Sequence, residues 1–113
     1  MHELGIMQGA LDTVIAEAGR EGVARVLRVR MRIGALTGLV TESLEFAFEV
    51  LREGTVAGGA ALDIESASAA YYCETCGREF EPPAFSRCCP VCGRVDCRVV
   101  KGFEIEVLSM EVE

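Results

Sequence analysis

Residues 71–94 read YYCETCGREFEPPAFSRCCPVCGR, and this stretch decides how the rest of the chain is organised. Within it, Cys73-Glu-Thr-Cys76-Gly77-Arg78 and Cys89-Pro-Val-Cys92-Gly93-Arg94 repeat one pattern, C-x-x-C-G-R, with twelve residues between the pairs. Two C-x-x-C pairs at this distance are a strong zinc signature. A two-residue gap lets both thiolates of a knuckle reach one tetrahedral ion. The glycine after the second cysteine permits a positive φ, so the backbone can turn away, and N–H groups in such turns donate to the sulfurs. Arg78 and Arg94 can offset the negative charge of a zinc held by four thiolates. The spacing therefore predicts Cys73, Cys76, Cys89 and Cys92 as metal ligands. Cys88 could replace Cys89, but only with a three-residue gap to Cys92 that loses the match to the first knuckle. Cys88 and Cys97 are left as spare thiols.

Some thirty residues cannot build a core alone, so the metal's binding energy is folding energy here. Four thiolates leave no open coordination position, which argues against hydrolytic chemistry at the ion. A thioredoxin-like redox role would need a single C-x-x-C at a helix N-terminus. A nucleic-acid zinc ribbon is weakened by charge, because residues 73–100 hold four arginines and four acids. The reading is structural zinc, with a zinc-ribbon adaptor as the alternative for the protein as a whole.

The flanks show periodicities that the cysteine stretch lacks. Leu4, Met7, Leu11, Val14, Ile15 and Ala18 recur at steps of three and four, which describes an amphipathic helix closed by Gly19 and Gly22. From Val23 to Ile33 the period becomes two. Leu27, Val29, Met31 and Ile33 alternate with Arg28, Arg30 and Arg32, as in a strand with one buried and one basic face. Those arginines read as cross-strand partners of Glu104 and Glu106 or as solvated charges, with a partner patch as the lesser reading.

Gly34 and Gly38 bracket a turn. Thr41 then suits the N-cap of a second helix, with Leu44, Phe46, Ala47, Phe48, Val50 and Leu51 as its inner face. Glu42, Glu45, Glu49 and Glu53 line its other side as a solvated face, with a docking surface as the lesser reading. Gly54, Gly58 and Gly59 suggest a flexible link, Leu62 and Ile64 a second strand, and Phe103 to Val112 a last one. The order predicts a small α+β fold: a small mixed sheet with two helices, interrupted by a zinc-ribbon-like module of four cysteines and completed afterwards. The expected domains are residues 1–70 plus 100–113, and an insert at 71–99.

The whole chain has 113 residues, a net charge of −7 and a pI near 4.7. That length suits one modest domain with a small insertion, burying ~65% of the surface its unfolded chain exposes. The acidic balance excludes nucleic acid as a main partner, since phosphate binding runs on clustered lysines and arginines. No apolar stretch approaches a membrane span, and the N-terminus does not read as a secretory address. The chain is read as cytoplasmic, where grouped cysteines hold metal more often than they form disulfides. It is read as a monomer or weak dimer.

The single histidine, His2, excludes any triad or metal cage that needs two. Its position matters more than its number. A bulky second residue should keep Met1 in place, and the α-amine, the His2 amide and the imidazole could then chelate one ion in consecutive rings. A fourth donor could be the Glu3 amide nitrogen or its carboxylate. Such a planar donor set suits Ni(II) or Cu(II), not zinc. Glu3 also fits the plainer role of an acid in a helix's first turn.

Met1-His2-Glu3-Leu4, Ile33-Gly34-Ala35-Leu36, Leu44-Glu45-Phe46-Ala47-Phe48, the paired knuckles and Gly102-Phe103-Glu104-Ile105 occur in one order along the chain. In this the sequence resembles the HypA/HybF family, nickel metallochaperones of hydrogenase maturation. The resemblance covers the whole chain. It implies a carrier and not an enzyme, with Ni(II) as cargo at His2, the terminal amine and neighbouring amides. It also implies structural Zn(II) on Cys73, Cys76, Cys89 and Cys92 in a separate lobe. Implied partners are a maturation GTPase of the same pathway and the large subunit of [NiFe]-hydrogenase; some members also serve urease. Two departures stand out: no histidine lies in the zinc loop, and Cys88 is an addition to the usual C-P-x-C knuckle.

Overall fold

A computed structural model of the chain describes residues 3–82 and 86–113. Its elements run α1 (Glu3–Glu21), β1 (Val26–Gly34), α2 (Thr41–Leu51), β2 (Ala61–Ala67), β3 (Ala70–Cys73), β4 (Arg78–Phe80), β5 (Arg98–Lys101) and β6 (Ile105–Val112). The fold is α+β: two helices with two small three-stranded sheets, ordered β2-β1-β6 and β4-β3-β5. The chain divides into two compact units. Unit 1 comprises Met1–Arg32, Gly38–Glu65 and Glu106–Glu113; unit 2 comprises Ile33–Thr37 and Ser66–Ile105.

In unit 1 the apolar stripe of α1 is buried at Met7, Leu11, Val14 and Ala18, while Leu4 at its start is exposed. Gly19 lies inside the helix, and Gly22 ends it. With φ 66° at Gly22, the Val23 amide donates to Ala18 O and the Gly22 amide to Gly19 O. That is a Schellman closure, which needs the left-handed residue that glycine supplies most easily.

α2 buries Leu44, Ala47 and Phe48, and packs against α1. Phe46 and Val50, expected on its inner face, are instead 68% and 50% exposed. At about 100° per residue they fall roughly 120–160° around the helix from Leu44, so six apolar residues in eight positions could not all face inward. The N-cap is Val40 and not Thr41: Val40 is extended, its carbonyl accepts from the Leu44 amide, and no side chain caps it. Its own amide donates to Glu3 Oε2 at 3.2 Å.

The segment after α2 is not a loose link. Thr55, Gly58 and Ala60 donate their amides to Arg52, Thr55 and Ala57 in successive turns, with Ala57 and Ala60 buried. The Arg52 guanidinium also donates to Ala60 O and lies over the Phe48 ring.

The arginines of β1 are paired. Arg28 meets Asp63 and Glu111, Arg30 meets Glu65, and Arg32 meets Glu65 and Glu106. Partner numbers rise along β2 and fall along β6, so β1 runs parallel to β2 and antiparallel to β6. The sheet is mixed, and the acidic partners come equally from β2 and β6. Glu104 is engaged elsewhere, accepting from the Gly102 amide.

Unit 2 holds three strands that the sequence did not suggest, β3, β4 and β5. β3 runs antiparallel to both neighbours, with Tyr71 opposite Phe80 and Val99, and a bulge at Ala70/Tyr71. The Tyr71 and Phe80 rings meet edge to face, centroids 5.8 Å apart. Residues 33–37 join this unit through backbone bonds from Gly34 to Glu104 O, Ala35 to Ala67 O, and Leu36 to Gly102 O. Gly34 is closely packed there: a Cβ at this position would fall 2.1 Å from Gly102 O.

Candidate metal centre

Both knuckles fold the same way, as their shared sequence requires. Gly77 and Gly93 adopt φ of 68° and 76°, and each donates its amide to the carbonyl of the first cysteine of its pair, Cys73 and Cys89. This turn brings the two thiols of a knuckle to one side. The backbone also serves the sulfurs directly, since the Cys76 amide donates to Cys73 Sγ at 3.4 Å. The knuckles are linked by Arg94, whose Nη1 donates to Thr75 Oγ1 at 3.0 Å. Arg98 stacks over Tyr72 and pairs with Glu74.

The result is a cluster of four sulfurs, from Cys73, Cys76, Cys89 and Cys92, all within 4.8 Å of one another. Cys73 and Cys92 approach to 3.5 Å, Cys76 and Cys89 to 3.8 Å. None is in a disulfide. A tetrahedral Zn–S bond of about 2.3 Å gives an S···S edge of about 3.8 Å, so these thiols fit a four-coordinate zinc.

Their acidities are ordered by the same turns. The Cys76 amide, aided by neighbouring thiols and opposed by burial, lowers the Cys73 thiol to about 6. The Cys92 amide likewise lowers Cys89. Cys76 is pushed up to about 12, chiefly because its thiol proton is shared with Cys92. Cys73 and Cys89 therefore ionise more readily than free thiols, and a divalent cation would displace the protons that remain.

Cys88 is exposed, and Cys89 occupies the cluster in its place. Cys97 is not a surface thiol but part of the core of unit 2, packed with Ala69, Tyr71, Cys73 and Cys89. Its Sγ donates to Arg94 O, and burial raises its pKa. Nothing in the spacing marked it as a core residue.

Of the residues expected to hold nickel, Met1 and His2 lie outside the described residues. Glu3 is the first residue of α1, and its carboxylate accepts the Val40 amide at the entry to α2. That contact joins positions 37 residues apart, a distance at which sequence pattern is silent. No helix among the described residues is long and apolar enough to cross a membrane.

Fold and site together define a small α+β protein with a closed cluster of four cysteines that could hold a metal ion. The chain belongs to the HypA family: residues 1–112 match the family described as "Hydrogenase/urease nickel incorporation, metallochaperone, hypA". It is 42% identical to the hydrogenase maturation factor HypA of Caldanaerobacter subterraneus, over all of both chains. It is 39% identical to the HypA of a Picosynechococcus species, over 99% of each. Its structure is similar to the solution structure of the Ni metallochaperone HypA from Helicobacter pylori, with a TM-score of 0.71 and 25% identity over 99% of this chain and 97% of that one. The family and fold class expected from the sequence are those found.

Proposed function

We propose that this protein is a nickel carrier for the maturation of [NiFe]-hydrogenase, with zinc held permanently by Cys73, Cys76, Cys89 and Cys92. The family match across residues 1–112, which includes Met1-His2-Glu3, carries this reading. Nickel is cargo, held by the terminal amine, the His2 amide and the His2 imidazole. With the Glu3 carboxylate engaged by Val40, the Glu3 amide nitrogen is the favoured fourth donor.

Zinc supplies cross-linking of the two knuckles. Cys73 and Cys89 provide its readiest thiolates, and the closed donor set keeps it from exchanging with cargo. Nickel handling belongs to residues 1–70 with 100–113, and zinc binding to 71–99. The protein works in the cytoplasm as a monomer or weak dimer, handing nickel on in concert with a maturation GTPase to the hydrogenase large subunit.

A site at a chain end lets an acceptor replace donors one at a time, which suits transfer and not catalysis. Binding displaces protons from the amine, amides and imidazole. Nickel affinity therefore falls as pH drops through the histidine range, near ~6.5.

The test is metal analysis and Ni(II) titration of untagged protein. One nickel and one zinc per chain are expected. His2→Ala, or one residue added before Met1, should abolish nickel uptake and leave zinc in place. Full nickel stoichiometry in both variants would refute the N-terminal site. Zinc without specific nickel uptake in the parent would favour the adaptor reading.

A further inference from the structure

The outward face of α2 combines two features that the metal sites do not use. Phe46, 68% exposed, and Val50, 50% exposed, are one turn apart and form a single apolar ridge. Glu42, Glu45 and Glu49 project beside them, and Glu53 follows within one turn of the helix's end. None of these four carboxylates forms an ion pair among the described residues. The contrast with the sheet is direct, because Asp63, Glu65, Glu106 and Glu111 all pair with β1 arginines.

Acids three and four residues apart repel, and those near a helix's C-terminal end also oppose its dipole, so the arrangement disfavours the isolated helix. The helix is held instead by its buried face of Leu44, Ala47 and Phe48. Beside the Glu45 and Glu49 edge lies a groove floored by Phe48, Ala61 and Leu62. Arg52 at its end is already committed to Ala60 O and the Phe48 ring. An aliphatic stem ending in a cation would fit that groove, with its charge at the two carboxylates.

We propose that this face docks a basic protein surface, which seats Phe46 and Val50 in an apolar socket and sets lysines or arginines against the four glutamates. An exposed aromatic at the centre of a like-charged patch is the composition of a binding anchor with a steering rim. Charge chooses the occupant. A second copy of this chain also carries −7, and its β1 arginines are already paired. Nucleic acid and anionic lipid meet the same repulsion.

The probe is a short synthetic helix with leucine on one face and lysine on the other, added to isotope-labelled, zinc-loaded full-length protein. Amide shifts should concentrate on residues 42–53 and at Ala61 and Leu62, and the affinity should fall as salt rises. Phe46→Ser should weaken binding by about tenfold or more, and the double variant Glu42→Gln/Glu49→Gln should flatten the salt dependence, neither lowering the thermal midpoint. Shifts spread evenly over acids on other elements would overturn the proposal. So would unchanged binding by Phe46→Ser, or equal binding of a peptide with glutamate in place of lysine. A concentration-dependent dimer that Phe46→Ser abolishes would assign the face to a second copy and also overturn it.

Discussion

Unit 1 buries aliphatic and aromatic side chains from two helices and a strand, whereas unit 2 buries three cysteines beside Tyr71 and small alanines. Met7, Leu11, Val14, Met31, Leu44 and Phe48 give unit 1 an apolar interior of ordinary kind. Unit 2 has little comparable bulk beyond Tyr71 and Ile33, with Phe80 and Val99 only partly buried against Tyr71 and its neighbours. Its strands are three or four residues long, too short to hold a sheet by themselves. One unit can fold by burial, then, while the other, with zinc in the proposed site, would be held by thiolates drawn together by a cation.

The most severe way to break this comparison is to remove the metal. Structural zinc in small modules contributes ~10–16 kcal/mol of apparent binding energy. A strong chelator, or Cys73→Ser, should therefore unfold residues 66–105 while α1 and α2 stay protected in hydrogen exchange. Simultaneous loss of protection in both units would show that unit 1 also depends on the metal.

Leu44→Ala attacks the opposite side. Leu44 is fully buried, and such truncations cost ~2–5 kcal/mol. Unit 1 should melt earlier with zinc stoichiometry unchanged. Phe46→Ala two residues on, being exposed, should stay within ~0.5 kcal/mol of the parent.

Gly34→Ala is the intermediate case. The new methyl would meet backbone atoms of Gly102 at 2.1 and 2.2 Å, and neither is the movable end of a side chain. The expected loss is ~1–3 kcal/mol, as for overpacking. It should appear as faster exchange at the amides of Gly34, Leu36 and Gly102, and its absence would mean that the 102–104 segment yields freely.

The parts of the fold legible in the sequence are those governed by one local rule. α1 follows from apolar spacing, β1 from the Arg28, Arg30, Arg32 alternation, and the two turns from C-x-x-C-G, whose glycines adopt the left-handed conformation expected. The four sulfurs that gather are those chosen by the matching Gly-Arg pairs, with Cys88 outside. What stayed hidden depends on contacts between distant segments. β3 to β5 are too short to show a period, and Cys97 is buried because β3 and both knuckles pack around it. Phe46 misled because composition marks it as core, and only the position of α1 and the sheet decides which side of α2 is covered. The bond from Val40 to Glu3 belongs to the same class.

The smallest expected effect concerns the edge of unit 1. Arg25 donates to both Glu113 carboxylate oxygens, from Nε at 2.8 Å and Nη2 at 2.6 Å, beside a backbone bond from the Glu113 amide to Arg25 O. The side-chain bonds, more than the bare charge of Arg25, hold the Glu113 carboxyl below its usual 4.5. A carboxylate lowered on folding stabilises above its unfolded pKa and loses that contribution as pH falls through the folded one. Glu113→Gln should therefore be slightly less stable than the parent in urea at neutral pH, with the gap closing under acid and shrinking in high salt, since both groups are exposed. The same acidification protonates the thiolates and releases the metal from unit 2. An acid titration followed separately in the two units should then show unit 2 unfolding while unit 1 has lost only exposed ion pairs such as this one. Equal acid sensitivity in both units would remove the distinction between a core made by burial and one made by metal.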